Sequence, residues 1–206
     1  YFNRPMYNFV VDAIREEYPR WRARHPAGAT PAAPGTPDLV LYNSGAIEAG
    51  LPEGVVTASD LTRAIPYNNR ILELNMTGAQ VLAILNAPAL RDHGLLLVSG
   101  LRYVWDYTKG LEEAYLIGRD RKAVRLSDGA TYRVLLSDFL AEGGDRYLEN
   151  PVCQPLRQQV EGLQPAPKDS TNYPGTIELV ERYLQRHSPV VETNFVDDRV
   201  QFRRSR

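Results

Sequence analysis

The run from Ile71 to Ser137 constrains this chain more than any other feature, because strand-type segments follow one another there between glycine-bearing turns. Ile71 to Met76 alternates as a strand, and Thr77 then caps a helix whose buried stripe is Val81, Leu82 and Leu85 before Pro88 stops it. Leu95 to Ser99, Arg102 to Tyr107, Ala114 to Ile117 and Thr131 to Ser137 read as strands in antiparallel hairpins. They are divided by Gly100, by Lys109 with Gly110, and by Asp128 with Gly129. Upstream, Met6, Phe9, Val10, Ala13 and Ile14 recur at helical spacing and predict a helix from Pro5 to Tyr18, with Pro19 ending the pattern. Pro, Ala, Gly and Thr dominate from His25 to Pro37, which reads as a flexible surface loop. Asp38 to Tyr42 is a short apolar strand that runs into the small-residue turn Asn43, Ser44, Gly45, Ala46. A helix over Thr176 to Gln185, with Ile177, Val180 and Leu184 on one face, and a last strand over Arg199 to Phe202 close the pattern. Helices and strands in this mixed order imply an α+β fold, a mixed sheet with flanking helices. At 206 residues without an internal repeat, the chain reads as a single domain over residues 1–206.

Composition excludes several function classes. With 43% hydrophobic and 24% charged residues the chain has the make-up of a folded globular domain. Its 24 Lys and Arg balance 25 Asp and Glu, so no global field draws in polymeric nucleic acid. Apolar runs such as Leu95 to Val98 fall far short of the roughly 20 residues that span a bilayer, so no membrane span is expected. The sequence starts at Tyr1, with no secretion-signal pattern after it, and reads as a piece of a longer protein. Cys153 is the single cysteine, which rules out an internal disulfide and reads as a buried, inert thiol. His25, His93 and His187 lack metal-ligand spacing and read as solvated side chains. No Gly-x-Ser-x-Gly elbow, P-loop or dinucleotide fingerprint accounts for Gly45 or for Gly143 and Gly144.

Three segments, in order, resemble the C-terminal domain of the 5′-nucleotidase family. Asn43-Ser44-Gly45-Ala46-Ile47-Glu48, with Leu51-Pro52-Glu53-Gly54 and Thr57 after it, is similar to the family's Asn-Gly-Gly-Gly-Ile-Arg turn and its extension. Ile65-Pro66-Tyr67-Asn68-Asn69, leading through Leu74 to Met76-Thr77-Gly78, resembles the Pro-Phe-x-Asn segment and the Thr-Gly helix start. Ser137-Asp138-Phe139-Leu140 with Gly143-Gly144-Asp145-Arg146-Tyr147 resembles a Phe followed by Gly-Gly-Asp-Gly-Tyr. Ser99-Gly100-Leu101 and the Phe9 to Ala13 helix fit the same pattern.

The resemblance implies a substrate-recognition domain for a nucleotide or nucleoside. Its partner would be the protein's own N-terminal metallophosphoesterase domain, which holds two divalent metals and lies outside this chain, so the chain by itself would lack activity. It also implies an extracytoplasmic setting, periplasmic, secreted or at the cell surface. By the same resemblance Tyr67 and Phe139 clamp the base, a grip that aromatic faces give to any planar base. Asp145 would accept the sugar hydroxyls, and Asn69 and Asn43 would contact substrate, although tight turns use such amides as local caps as well. Gly100, Gly143 and Gly144 would let backbone approach the ligand, or else simply supply a positive φ.

The resemblance breaks at Glu48, which stands where the family carries the Arg that holds substrate phosphate. Either another cation compensates, with Arg63, Arg70, Arg102 and Arg146 as candidates, or Glu48 points away, or the substrate carries less charge there. The last option implies a cyclic nucleotide or other diester, a non-nucleotide ester, or a binding module without turnover. Arg146 also replaces a glycine of the third motif, where it could pair with Asp145 or enter the pocket.

Overall fold

A computed structural model of the chain describes residues 5–25, 36–87, 93–94, 96–118, 120–162 and 171–203. Sheet one consists of β1 (Leu39–Tyr42), β2 (Ile71–Thr77), β3 (Leu97–Ser99) and β7 (Thr131–Ser137), in the order β2-β7-β1-β3. Within it β1 runs parallel to β7, while β2 is antiparallel to β7 and β3 antiparallel to β1. Of the expected hairpin strands only two pair with each other, β4 (Leu101–Asp106) and β5 (Gly110–Ile117), in a second sheet ordered β6-β5-β4-β8 with β6 (Ala123–Arg125) and β8 (Val200–Arg203); the other two, β3 and β7, pair instead with β1 and β2 in sheet one. Both sheets are mixed, because β8 joins β4 in parallel.

Sheet one is covered on both faces, which is why β1 reads Leu-Val-Leu-Tyr without a polar residue. Leu39, Leu41, Leu72, Leu74 and Leu136 face α3 (Gly78–Leu85) and sheet two, meeting Val81, Ile84, Tyr103 and Trp105. Val40, Tyr42, Ile71 and Leu135 face the other way, toward α1 (Pro5–Arg24), α2 (Ala58–Ala64) and the C-terminal helix Thr176–His187. The α3 start follows the sequence closely: Thr77 and Gln80 form a reciprocal capping box, each side chain serving the other's backbone N–H. Pro88, expected to stop this helix, lies outside the described residues, as do Leu95 and residues 26–35 of the predicted loop.

Helix α1 does not end at Pro19 but continues to Arg24. A proline inside a helix costs about 3 kcal/mol through its missing donor and ring clash. Beyond it, Trp21 is buried, worth about 1.5–3 kcal/mol, and the Arg20 guanidinium donates to the Glu16 carbonyl at 2.9 Å. The outer layer is then pinned by side chains of opposite charge. Arg199 grips both carboxylate oxygens of Asp12 at 2.8 and 2.9 Å, tying the approach to β8 onto α1.

Candidate functional site

The register of sheet one gathers three loops at one end. Leu41 of β1 pairs with Leu136 of β7, and Ile71 of β2 pairs with Ser137, so the chain leaves β1 and β7 and enters β2 at the same edge. Asn43 follows β1, Tyr67 and Asn69 precede β2, and Asp138 with Phe139 follow β7 in a short helix, α4 (Asp138–Ala141). Side chains knit the loops together. Ser137 Oγ donates to Asn43 Oδ1 at 3.1 Å, and Asn69 Nδ2 donates to the same oxygen at 3.5 Å. Asn43 sits at an N-cap position yet makes no side-chain cap bond, so its amide serves the neighbouring loops instead.

Tyr67 is held out by a loop pinned beneath it. Asn68 adopts a left-handed conformation, φ 43°, and its Oδ1 accepts from the Ile177 N–H at 2.9 Å, while the Asn69 carbonyl accepts from Thr176 N and Oγ1 at 2.9 and 2.8 Å. Tyr67 is 64% exposed. Phe139 is 37% exposed and lies against the glycine turn that follows, where a Cβ on Gly144 would fall 2.6 Å from its ring atoms. Two large aromatic rings are thus left open to solvent at the one edge where the polar loops converge. Asp145 occupies the same turn with φ 52°, between Gly143 at φ 91° and Arg146 at φ 63°. Its Oδ1 lies 3.4 Å from His93 Nδ1.

Glu48 turns toward this edge. Its N–H donates to the Ala64 carbonyl at 2.9 Å, which fixes it beside the end of α2, and the Tyr67 hydroxyl donates to its Oε1 at 3.5 Å. Most of the arginines proposed to compensate it are engaged elsewhere. Arg63 pairs with Asp60 at 2.9 Å, and Arg102 lies over the Tyr115 ring in sheet two. Arg146 makes a two-pronged pair with Glu149 at 2.6 and 2.9 Å and lines a separate cleft of about 760 Å³ beside Asn86, Leu111 and Val152, rather than pairing with Asp145. Arg70 stays at the edge, donating to the Tyr173 carbonyl at 3.3 Å.

Gly100 is not brought to these residues. Ser99 pairs with Val40, so Gly100 falls at the opposite end of β1 from Asn43, with φ 74°. A Cβ there would meet the Asp38 carbonyl at 2.2 Å and the Arg15 guanidinium at 2.6 Å. Backbone packing therefore accounts for this glycine. Asp138, not singled out from the sequence, is buried at the centre of the edge: its N–H donates to the Arg70 carbonyl at 2.8 Å, and its Oδ1 accepts from the Phe139 N–H at 2.8 Å. Burial raises its carboxyl above the usual aspartate range, against the lowering effect of backbone bonds to the carboxyl from Arg70 and Phe139 and of the Arg70 charge. The signal for it was its position directly between Ser137 and Phe139.

Metal-ligand spacing occurs at one place among the described residues, Glu16, Glu17 and His187, far from this edge. There the carboxylates are already served by Arg20 and Arg186, with Arg186 Nε 3.0 Å from Glu17 Oε1. Those cations make it a poor metal centre. No described helix is long and apolar enough to cross a membrane.

Comparison with known proteins gives a matching family and a shared fold. The family described as "5'-nucleotidase, C-terminal domain" matches residues 3–150. An apyrase of Tabanus yao is 28% identical over 160 residues, covering 68% of this chain and 26% of its own length. A 5′-nucleotidase of Vibrio cholerae is 27% identical over 168 residues, covering 77% of this chain and 26% of its own. Among solved structures, a 5′-nucleotidase precursor from Thermus thermophilus superimposes with a TM-score of 0.67 at 20% identity, over 98% of this chain and 36% of that one. The chain therefore spans about a quarter of the length of these curated relatives.

Proposed function

The chain belongs to the 5′-nucleotidase C-terminal domain family, and from that premise we propose that it recognises a nucleoside or nucleotide by stacking the base between Tyr67 and Phe139. The observation that carries this reading is the pair of exposed rings at the edge of sheet one, beside the amide and carboxylate groups of Asn43, Asn69 and Asp145. Stacking on two faces contributes about 1–3 kcal/mol per base and accepts any base, because each has a π-face. Asp145 then accepts hydrogen bonds from the sugar hydroxyls, and the amides of Asn43 and Asn69 contact the sugar or the base edge.

Hydrolysis of the phosphate ester belongs, in this proposal, to an N-terminal metallophosphoesterase domain of the same protein. Two divalent ions bound there would activate water and polarise the phosphoryl group. This chain, one domain over residues 1–206, supplies recognition and has no activity alone. The protein works outside the cytoplasm, a reading supported by a relative named as a snake venom 5′-nucleotidase, 30% identical over 125 residues. A second reading, a cyclic nucleotide, another diester or a non-nucleotide ester as substrate, is favoured by one observation, the carboxylate of Glu48 at the clamp.

Calorimetric titration with adenosine tests the stacking. Binding is expected to weaken about 5- to 150-fold in Tyr67→Ala and in Phe139→Ala, the equivalent of one lost stacking face. Equal affinity in the unchanged chain and both variants overturns the proposal.

A further inference from the structure

We propose that Glu48 makes this site select nucleosides that carry no terminal phosphate, neutral or cationic, over nucleoside monophosphates; the inference rests on the stacking reading above. Glu48 is held in place from two sides. Its backbone is bonded to Ala64 at the end of α2, and its Oε1 accepts from the hydroxyl of Tyr67, so the carboxylate stands at the outer edge of one stacking ring. Any group of a bound ligand that extends past that edge meets a negative charge.

The surrounding charges reinforce it. Asp138, Glu142 and Asp145 lie on the segment that carries Phe139, and Glu142 and Asp138 are close enough to feel each other's charge. Facing them are Arg70, which donates to the Tyr173 carbonyl beside Asp138, and His93, which lies on Asp145. Arg63, Arg102 and Arg146 are committed to Asp60, to the Tyr115 ring and to Glu149. A phosphate dianion placed here would be repelled by Glu48, with Arg70 the one of the four candidate arginines left at this edge among the described residues, whereas an ammonium group or a hydroxyl donor would find an acceptor.

Adenosine, AMP and 5′-amino-5′-deoxyadenosine share the base and ribose and differ in the charge of one substituent, so their affinities isolate the effect. By calorimetry at pH 7 and low salt, the amino derivative is expected to bind about fivefold tighter than adenosine, and AMP about fivefold more weakly, the ceiling for one exposed ion pair. In Glu48→Gln the three affinities should converge, and in Glu48→Arg AMP should become the tightest ligand. Adenosine is the control that separates the two readings. If adenosine binds and AMP binds as tightly or more tightly in the unchanged chain, the selectivity of Glu48 is overturned and the stacking stands. If Glu48→Gln leaves a ranking that disfavours AMP intact, the ranking arises elsewhere and Glu48 is not its cause. If adenosine itself does not bind the folded chain, the stacking reading falls and this inference with it.

Discussion

Gly144 lies so close beneath Phe139 that the Cβ it lacks would fall 2.6 Å from two atoms of the ring and from the Phe139 carbonyl oxygen. The open ring and the glycine turn are therefore one unit, and the ring's pose depends on there being no side chain under it. Gly144→Ala should force the ring and the turn apart, destabilising the fold by about 1–3 kcal/mol as overpacking does. Adenosine binding should weaken more than the fold does. Urea midpoints and titration of the same sample check both, and an unchanged affinity would dissociate the turn from the clamp.

Ser137 connects β7 to the site twice. Its hydroxyl oxygen accepts from the Leu140 N–H at 3.3 Å as the N-cap of α4, and the same hydroxyl donates to Asn43 Oδ1. Ser137→Ala removes a cap, worth about 0.5–2 kcal/mol, and leaves the buried Asn43 oxygen with only its long bond from Asn69. Loss of about 1–3 kcal/mol in chemical denaturation is expected; a change within a few tenths would show that the amide finds another donor.

Asp138 makes stability depend on pH in a direction opposite to that of a salt-bridged aspartate. Burial raises its pKa in the fold above the ordinary value of 3.8, so the folded state holds the proton more tightly than the unfolded one. Its favourable contribution is complete below about pH 3.8 and is lost as pH rises through the folded value. Asp138→Asn keeps an acceptor for the Phe139 N–H and carries no charge to desolvate. The variant should thus gain stability relative to the unchanged chain as pH rises from the unfolded value of 3.8 through the raised folded value, with a slope of at most about one proton between the two. A gap that stays constant across those denaturation series would remove Asp138 as its source.

Cys153 is fully buried, its Sγ set against the Gln80 carbonyl at 4.0 Å, and burial pushes its pKa up to about 11. An aromatic disulfide reagent at about pH 8 should therefore label the native chain slowly and the urea-unfolded chain at once. Rapid labelling of the folded protein would mean that the helix Gln154–Glu161 opens readily.

Local signals carried much of the fold and less of the site. The capping box at Thr77 and Gln80, the apolar run of β1 and the periodicity of the Thr176–His187 helix each depend on neighbours within a few residues, and each could be read directly. The division into two sheets could not. Only Gly100 separates β3 from β4, and its left-handed φ of 74° passes the chain from one sheet to the other, whereas a sequence marks the turn and not the partner. The same limit applies at the site. Tyr67, Phe139, Asp145, Asn43 and Asn69 could be named from motif residues, but Glu48 and Tyr67 are 19 positions apart and their bond follows from α2 folding back between them. Arg146 had Asp145 beside it in sequence, and its pairing with Glu149 instead reflects the left-handed turn, which swings consecutive side chains apart. Pro19 misled because its local rule is correct, and the burial of Trp21 beyond it offsets the cost.

Nuclear Overhauser contacts between bound adenosine and the aromatic side chains decide whether the base is stacked. The adenine H2 and H8 protons should shift upfield on binding and show contacts to ring protons of both Tyr67 and Phe139, because a stacked base lies in the ring current of each. Bound adenosine whose base protons touch neither ring would refute the clamp.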